Sequence, residues 1–372
     1  SATIDGALNV AGGIWDGGNG TVYGKITVSS GDFNVDNFSG LTAPAGIFIT
    51  GGSLSGGGSE SYIDGSITYT SPLSSTYTGE IGDSSFGPSS VTVNNPTANL
   101  TISEGNYTGP TTIKAGTLTL NGPLSSYSAV EVDSGGTLAG GGTVNGNVNV
   151  LGGTVDMTGL IGGTVTASGN TTFSGALTVI SPITSTSGTL TLSSGADLWA
   201  DGGLNITGGT LAAGNASSTI IGSVDYTSSA SSTFGGIITG TGKTVTMNNA
   251  SGTLALSGAN TYTGGTTISA GTLLANGSNS TGAGAVNVQS GGALGGNGTI
   301  QTSGITSGAA VTIASGGALN QSVVSGGLGT STLTLDLHNT GSSTSVDLLQ
   351  GAKFAFNLGA SGISDPPAQA SG

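Results

Sequence analysis

The chain has 372 residues, no Cys, four Lys and no Arg against 18 Asp and Glu, and a formal net charge of −14. Zero Cys excludes disulfide staples and thiolate-held metals, and an acidic, Arg-free surface argues against a phosphate-backbone partner, so no nucleic acid is expected. Charged residues are only 6% of the chain, too few for charge-driven disorder, and no stretch reaches the roughly 20 apolar residues of a membrane helix, so no transmembrane segment is expected.

Strand signals begin at residues 25–28 (Lys-Ile-Thr-Val) and continue at 91–93, 117–120, 147–150, 189–192, 244–247, 285–288 and 333–337. In these runs Thr, Asn or Lys alternates with Val, Ile, Leu or Met, a period of two that suits a strand with one buried face. Gly-Gly, Ser-Gly and Asn-Gly pairs separate the runs and supply the positive φ of tight turns. No amphipathic helix is evident, so the fold class is all-β.

The runs repeat at two periods. Residues 49–69, ITGGSLSGGGSESYIDGSITY, return as ITGGTLAAGNASSTIIGSVDY at 206–226, an ungapped offset of 157. Residues 106–118 return at 260–273 with Thr261 inserted, so that Asn106 answers to Asn260, and residues 136–144 return at 292–300. More weakly, 3–8 resembles 172–177 and 26–31 resembles 190–195. This divides the chain into a first long repeat at 1–168, a second at 169–320, and C-terminal strands with a Pro-containing tail at 321–372.

Within the long copies, Gly-Thr-Leu-like turns at Gly116, Gly136 and Gly153, then at Gly271, Gly292 and Gly317, step by 20, 17, 21 and 25 residues. A coil of about 20 residues is the size of a β-solenoid rung. Stacked at the ~4.8 Å strand spacing, about 16–18 such rungs would form a rod about 80 Å long.

Residues 254–273, 284–288 and 291–296 resemble the passenger-associated β-strand repeat of bacterial autotransporters, and 100–144 resembles it with Glu104 and Pro110 as departures. The resemblance implies a secreted or cell-surface passenger folded as a right-handed parallel β-helix. It ties the repeat to export and folding rather than to catalysis. Such proteins typically end in a membrane β-barrel. Here the run from Asp365 to Gly372 reads as a linker or trimming point, and Ser1, in place of Met, as a processed terminus.

Chemistry-bearing constellations are few. His338 is the only His; a Ser-His-Asp hydrolase would need it as base, and no Gly-x-Ser-x-Gly elbow feeds it, so no catalytic residue and no cofactor are expected. Gly295-Gly296-Asn297-Gly298 lacks the Asp of calcium-binding nonapeptides. Asp32 with Asp36, and Asp197 with Asp201, are the pairs that could hold a loosely bound calcium. The two Trp stand in Trp15-Asp16-Gly17-Gly18 and Trp199-Ala200-Asp201-Gly202-Gly203. An indole face beside a carboxylate can take a sugar ring, which makes Trp15, Asp16, Trp199 and Asp201 candidate glycan contacts; either Trp could instead fill a rung corner or cap the core end. Tyr62, Tyr69, Tyr107, Tyr226 and Tyr262 fall in the duplicated stretches and are expected to stack.

The function this supports is a non-enzymatic, extracellular or cell-surface structural β-solenoid acting in adhesion, self-association or fibre and matrix formation. Its partners would be itself, end to end or laterally, and surface glycans. One alternative is a polysaccharide-binding or polysaccharide-cleaving β-helix protein, with two carboxylates across a cleft in the second case. Another is an ice- or surface-binding array built on rows such as Thr117-Leu118-Thr119.

Overall fold

A computed structural model describes residues 2–16, 18–36, 39–58, 60–125, 127–303, 305, 308–320, 333–336 and 344–355. His338 and the tail from Asp365 to Gly372 lie outside the described residues. The described residues contain strands and turns and no helix.

Each coil of chain contributes strands to three faces, and equivalent strands of successive coils pair in parallel. On the first face three-residue strands such as Ile47–Ile49, Ile67–Tyr69 and Val286–Val288 stack. On the second, Gly136–Gly140, Thr154–Met157, Thr171–Ser174 and Thr189–Leu192 follow one another. On the third, Thr143–Val144, Leu160–Ile161 and Ala176–Val179 do so. The result is a parallel β-solenoid. Long strands turn corners without a break: Val91–Asn106 contributes to all three faces, with register shifts at its bends.

The expected rung length holds. The step between paired equivalents runs from 17 residues (Val148 to Val165) to 25 (Val286 to Val311) as far as Ala318–Asn320, and lengthens in the last described coil, where Val311 pairs with Val346. The Gly-Thr-Leu turns sit directly above one another: Gly116 pairs with Gly136 and Gly271 with Gly292. At Gly116 φ is +89° and a Cβ would lie 2.2 Å from the Asn95 carbonyl oxygen; at Gly271 φ is +80° and the Asn249 carbonyl oxygen would be 2.0 Å away. Only Gly permits both the left-handed backbone and that approach.

Period-two alternation becomes an inside and an outside. On the first face the flanking positions are buried and the middle one faces out, as in Val148, Asn149 and Val150. One interior column therefore reads Ile26, Ile47, Ile67, Val91, Thr111, Val130, Val148 and Val165 along the stack, every member essentially inaccessible. Removing such side chains from water supplies most of the driving force, about 1.5–3 kcal/mol for each large aliphatic group.

Three expectations are corrected. Residues 26–28 lie on the first face and 190–192 on the second, so their likeness is not an equivalence; nor do Thr3, on the third face, and Thr172, on the second, correspond. The alternation of Thr with apolar residues is the same on every face, and this misled the alignment. Asn106 does not answer to Asn260 either: Asn106 is exposed, while Asn260 is buried and occupies the level of Gly105. The tyrosines do not stack on one another. Tyr69, Tyr107, Tyr226 and Tyr262 are buried and each is tied by its hydroxyl. Tyr62 is 41% exposed and lies over the backbone of Gly40.

Candidate functional site

Both tryptophans sit on strands, not loops, and they face opposite ways. Trp15, on Leu8–Asp16, is partly buried and stacks on Phe33 of the next rung at 4.4 Å between ring centroids and 5° between planes. Asp16 is exposed, and its Oδ1 accepts a hydrogen bond from Asn34 Nδ2 at 2.9 Å. Beside them opens a cavity of about 260 Å³ lined by Ile4, Trp15, Asp16, Asn19, Thr21, Val22 and Leu41, with glycine backbone between. Asn19 is held at its rim by the Gly40 N–H, 2.6 Å from Asn19 Oδ1. Trp15 turns toward the solenoid interior with buried Phe33, Val22 and Leu41, whereas Asp16 pairs in register with Asn34 on the outer side of the same strand.

Trp199, on Asp197–Ile206, points outward on the third face with 48% of its surface exposed, between Thr178 and Ile221 of the adjoining rungs. Asp201 is exposed, and its backbone carbonyl accepts from Lys243 Nζ at 3.5 Å. The two Trp-Asp pairs therefore stand on different faces, many rungs apart, and form no common groove.

Neither Asp pair gathers a third carboxylate: among the described residues no group of three metal-ligating side chains converges. Asp32 instead accepts from the Ser53 and Ser55 hydroxyls, at 2.7 and 2.5 Å. The Thr-x-Thr array is also incomplete. One outward column of the second face reads Thr117, Thr137, Thr154, Thr172 and Thr191, but its neighbour reads Thr119, Ala139, Asp156 and Ser174.

Sequence reasoning missed an acidic patch on the third face. Asp64 and Glu80 approach the space above Gly82: a Cβ there would lie 3.0 Å from Asp64 Oδ1 and 3.6 Å from Glu80 Oε1. Partial burial, then repulsion from Glu80 and Asp83, raises the Asp64 carboxyl above its ordinary range. Burial would raise Asp83 too, but the Ser89 N–H and the Thr108 hydroxyl and N–H outweigh it and hold Asp83 low. The loop carrying Asp83 brings Phe86 edge-on to Tyr23 at 5.8 Å, and Lys25 Nζ sits 3.7 Å over the Phe48 ring. These contacts join residues of different rungs, so spacing along the chain could not reveal them.

The passenger-associated-transport-repeat family pattern matches residues 97–120, 115–139 and 251–275. The chain carries autotransporter passenger repeats. Two of the matched segments contain the Tyr107–Thr111 and Tyr262–Thr266 hydroxyl pairs, each 2.6 Å long, and the turn glycines Gly116 and Gly271. Over 91 residues, 24% of its length, the chain is 46% identical to the adhesin BmaC autotransporter of Brucella suis biovar 1 (strain 1330). That segment is 2% of the adhesin, so the chain spans a small part of that relative. No solved structure matches the chain. Among the described residues no helix is long and apolar enough to cross a membrane.

Proposed function

We propose that the chain acts outside the cell, secreted or displayed at the bacterial surface, as a non-enzymatic adhesive solenoid that also self-associates. The observation that carries this reading is the outward column of the first face. From Thr27 it passes through Thr68, Thr92, Thr112, Thr166, Thr184, Thr246 and Thr267 to Thr312, with Asn149, Asn205 and Asn287 among the intervening residues. Each Thr offers a hydroxyl and a methyl, and only Glu131 and Asp225 interrupt this stretch with charge. Such a face meets a partner with little charge desolvation, and many weak contacts in a fixed row add up through avidity. The similarity to an adhesin supports the same reading.

Display of the chain on a non-adherent bacterium tests it. Attachment to epithelial cells or to sister bacteria is expected. It should fall in a variant carrying Thr112→Lys, Thr166→Lys and Thr267→Lys, outward positions whose substitution leaves the core intact. Unchanged attachment with an unchanged melting temperature would overturn the proposal. Electron microscopy across a concentration series separates the fibre component, because isolated short rods at every concentration remove it.

A further inference from the structure

We infer that the third face around Trp199 is a self-docking surface, on which a second copy of the chain packs with its rod antiparallel to the first; this names the contact for the self-association proposed above and rests on it. Trp199 lies in the body of the solenoid, with paired rungs on both sides. Leu198 and Ala200 are buried, so Asp197, Trp199 and Asp201 all turn outward. Along the stack Leu160, Thr178, Trp199, Ile221 and Thr239 follow one another in register. Ile180 widens the apolar centre. Its N–H continues the ladder to the Ile161 carbonyl at 3.0 Å, buried Val179 precedes it, and 52% of its surface is exposed. An exposed Trp ringed by aliphatic side chains is the usual centre of a protein–protein contact.

Charge selects the occupant and its direction. The chain carries a net charge of −14, so two copies repel unless they meet where carboxylates are few. From Pro123 to Thr261 the central outward column of this face is uncharged. Asp197 and Asp201 flank it, and Lys243 Nζ reaches the Asp201 carbonyl, so that edge carries both signs of charge. Below Pro123 the same column turns acidic, with Glu80 paired to Glu104 and Asp64 adjoining. Parallel copies would set each acidic cluster against its own counterpart. Antiparallel copies centred on Trp199 carry the two clusters to opposite ends of the contact and bring the Lys243 of each copy to the Asp201 edge of the other. Such a two-fold contact is isologous, so one patch serves both partners.

The size of the patch sets the strength of the contact. The rungs from Pro123 to Thr261, stacked at ~4.8 Å, and strands about five residues wide outline roughly 450 Å² on each copy, short of the ~800 Å² per partner of a stable complex. The dimer is therefore weak in solution and gains from dense display, where many such contacts act together. The first face, which carries adhesion, stays free in it.

Sedimentation velocity of the full chain across a concentration series tests this. A monomer–dimer equilibrium with a Kd on the order of 0.1 mM is expected. Trp199→Thr, which installs the residue type of the rung below, and Ile180→Lys should each weaken it about tenfold or more at an unchanged melting temperature. The first-face variant with Thr112→Lys, Thr166→Lys and Thr267→Lys should dimerise as the native chain does. The chain has no Cys, so introduced thiols report the direction. Chains carrying Thr178→Cys are mixed with chains carrying Ile221→Cys and joined by a short bis-maleimide, because facing sheets stand ~10 Å apart. Antiparallel packing links unlike chains above their statistical share, and an excess of like pairs overturns the inference. Dimerisation that both patch variants retain overturns it too, and leaves self-association standing on another face. A chain that stays monomeric to about 1 mM removes the patch and self-association together. Attachment to epithelial cells, scored separately, then decides the adhesive reading alone.

Discussion

The Tyr226 hydroxyl lies 2.7 Å from the Ser232 hydroxyl inside the solenoid, and 157 residues earlier Tyr69 and Ser75 make the same contact at the same distance. In each copy the Tyr donates to a backbone carbonyl, Ala230 at 2.8 Å or Leu73 at 2.6 Å. In each, the Ser oxygen accepts the N–H of a residue one rung below, Leu211 or Leu54. The Ser is therefore left to donate to the Tyr. At this level of the second face no backbone ladder pairs Ser53–Gly57 with Ser74–Gly82, or Thr210–Ala213 with Ser231–Phe234; the serine hydroxyl takes its place. Ser232→Ala strands the Leu211 N–H and one lone pair of Tyr226, a buried vacancy worth about 1–3 kcal/mol, and Tyr226→Phe costs a similar amount. Urea unfolding should show Tyr69→Phe and Ser75→Ala behaving alike. In a double-mutant cycle the Tyr226 and Ser232 losses should be clearly less than additive.

Gly116 and Gly271 make a second matched pair. Alanine at either combines a left-handed φ with a carbonyl contact far inside van der Waals distance. Backbone strain alone is worth about 1–3 kcal/mol, and the clash forces the neighbouring rung to shift. Gly12 is the control: its φ is +103°, but a Cβ there meets nothing within 4 Å. The thermal midpoint should fall in all three variants, by the strain alone in Gly12→Ala and by clearly more in Gly116→Ala and Gly271→Ala, where the clash is added. Equal losses at all three would mean that close approach between rungs does not matter.

The parallel solenoid, its rung length and the stacked turn glycines were legible in the sequence because each depends on local alternation and spacing. Residues 117–120 and 189–192 fall on strands as read, and 148–150 of the run at 147–150 do so as well. What spacing cannot convey is which of three faces a run occupies. Residues 26–28 and 190–192 share a pattern and not a face, and Trp15 and Trp199 share a Gly-rich context while one packs inward and the other points out. The approach of Asp64 to Glu80, and of Phe86 to Tyr23, depends on register across rungs, which the chain order hides.

Asp64 and Asp83 should pull the pH dependence of stability in opposite directions. The raised Asp64 carboxyl keeps its proton longer in the folded state, so its contribution is fully present below the ordinary carboxylate pKa and is lost as pH rises through the folded value. The lowered Asp83 carboxyl contributes above the ordinary value and loses that contribution as pH falls through its folded pKa. Asp64→Asn should therefore raise the urea midpoint at about pH 7 and leave it unchanged at about pH 3, where carboxylates are protonated. Asp83→Asn should lower the midpoint at neutral pH, with the gap closing in acid. Both groups are substantially solvated, so each effect should stay within about 1 kcal/mol. A Tm shift of the same sign for both variants at neutral pH would contradict the assignment.

Asn260 is where the two copies part company, and its chemistry gives the most diagnostic variant. Its Oδ1 accepts the Ile238 N–H at 2.7 Å, its Nδ2 donates to the Ser280 carbonyl at 2.7 Å, and its own carbonyl accepts from Asn279 Nδ2 at 2.7 Å. The first copy uses Gly105 here, whose missing side chain leaves room for Leu124: a Cβ at Gly105 would lie 2.5 Å from a Leu124 methyl. A buried amide that spans three rungs replaces an aliphatic contact. Asn260→Ala orphans a buried donor and a buried acceptor, each worth about 1–3 kcal/mol. Asn260→Asp still accepts from Ile238, but when ionised it cannot donate to Ser280, and a buried unpaired charge is costlier than a vacancy. Asn260→Asp should thus be the less stable of the two at neutral pH. It should recover in acid, where the protonated carboxyl regains a donor. If the two variants keep the same order and gap from neutral pH into acid, the Ser280 bond is not what holds this corner.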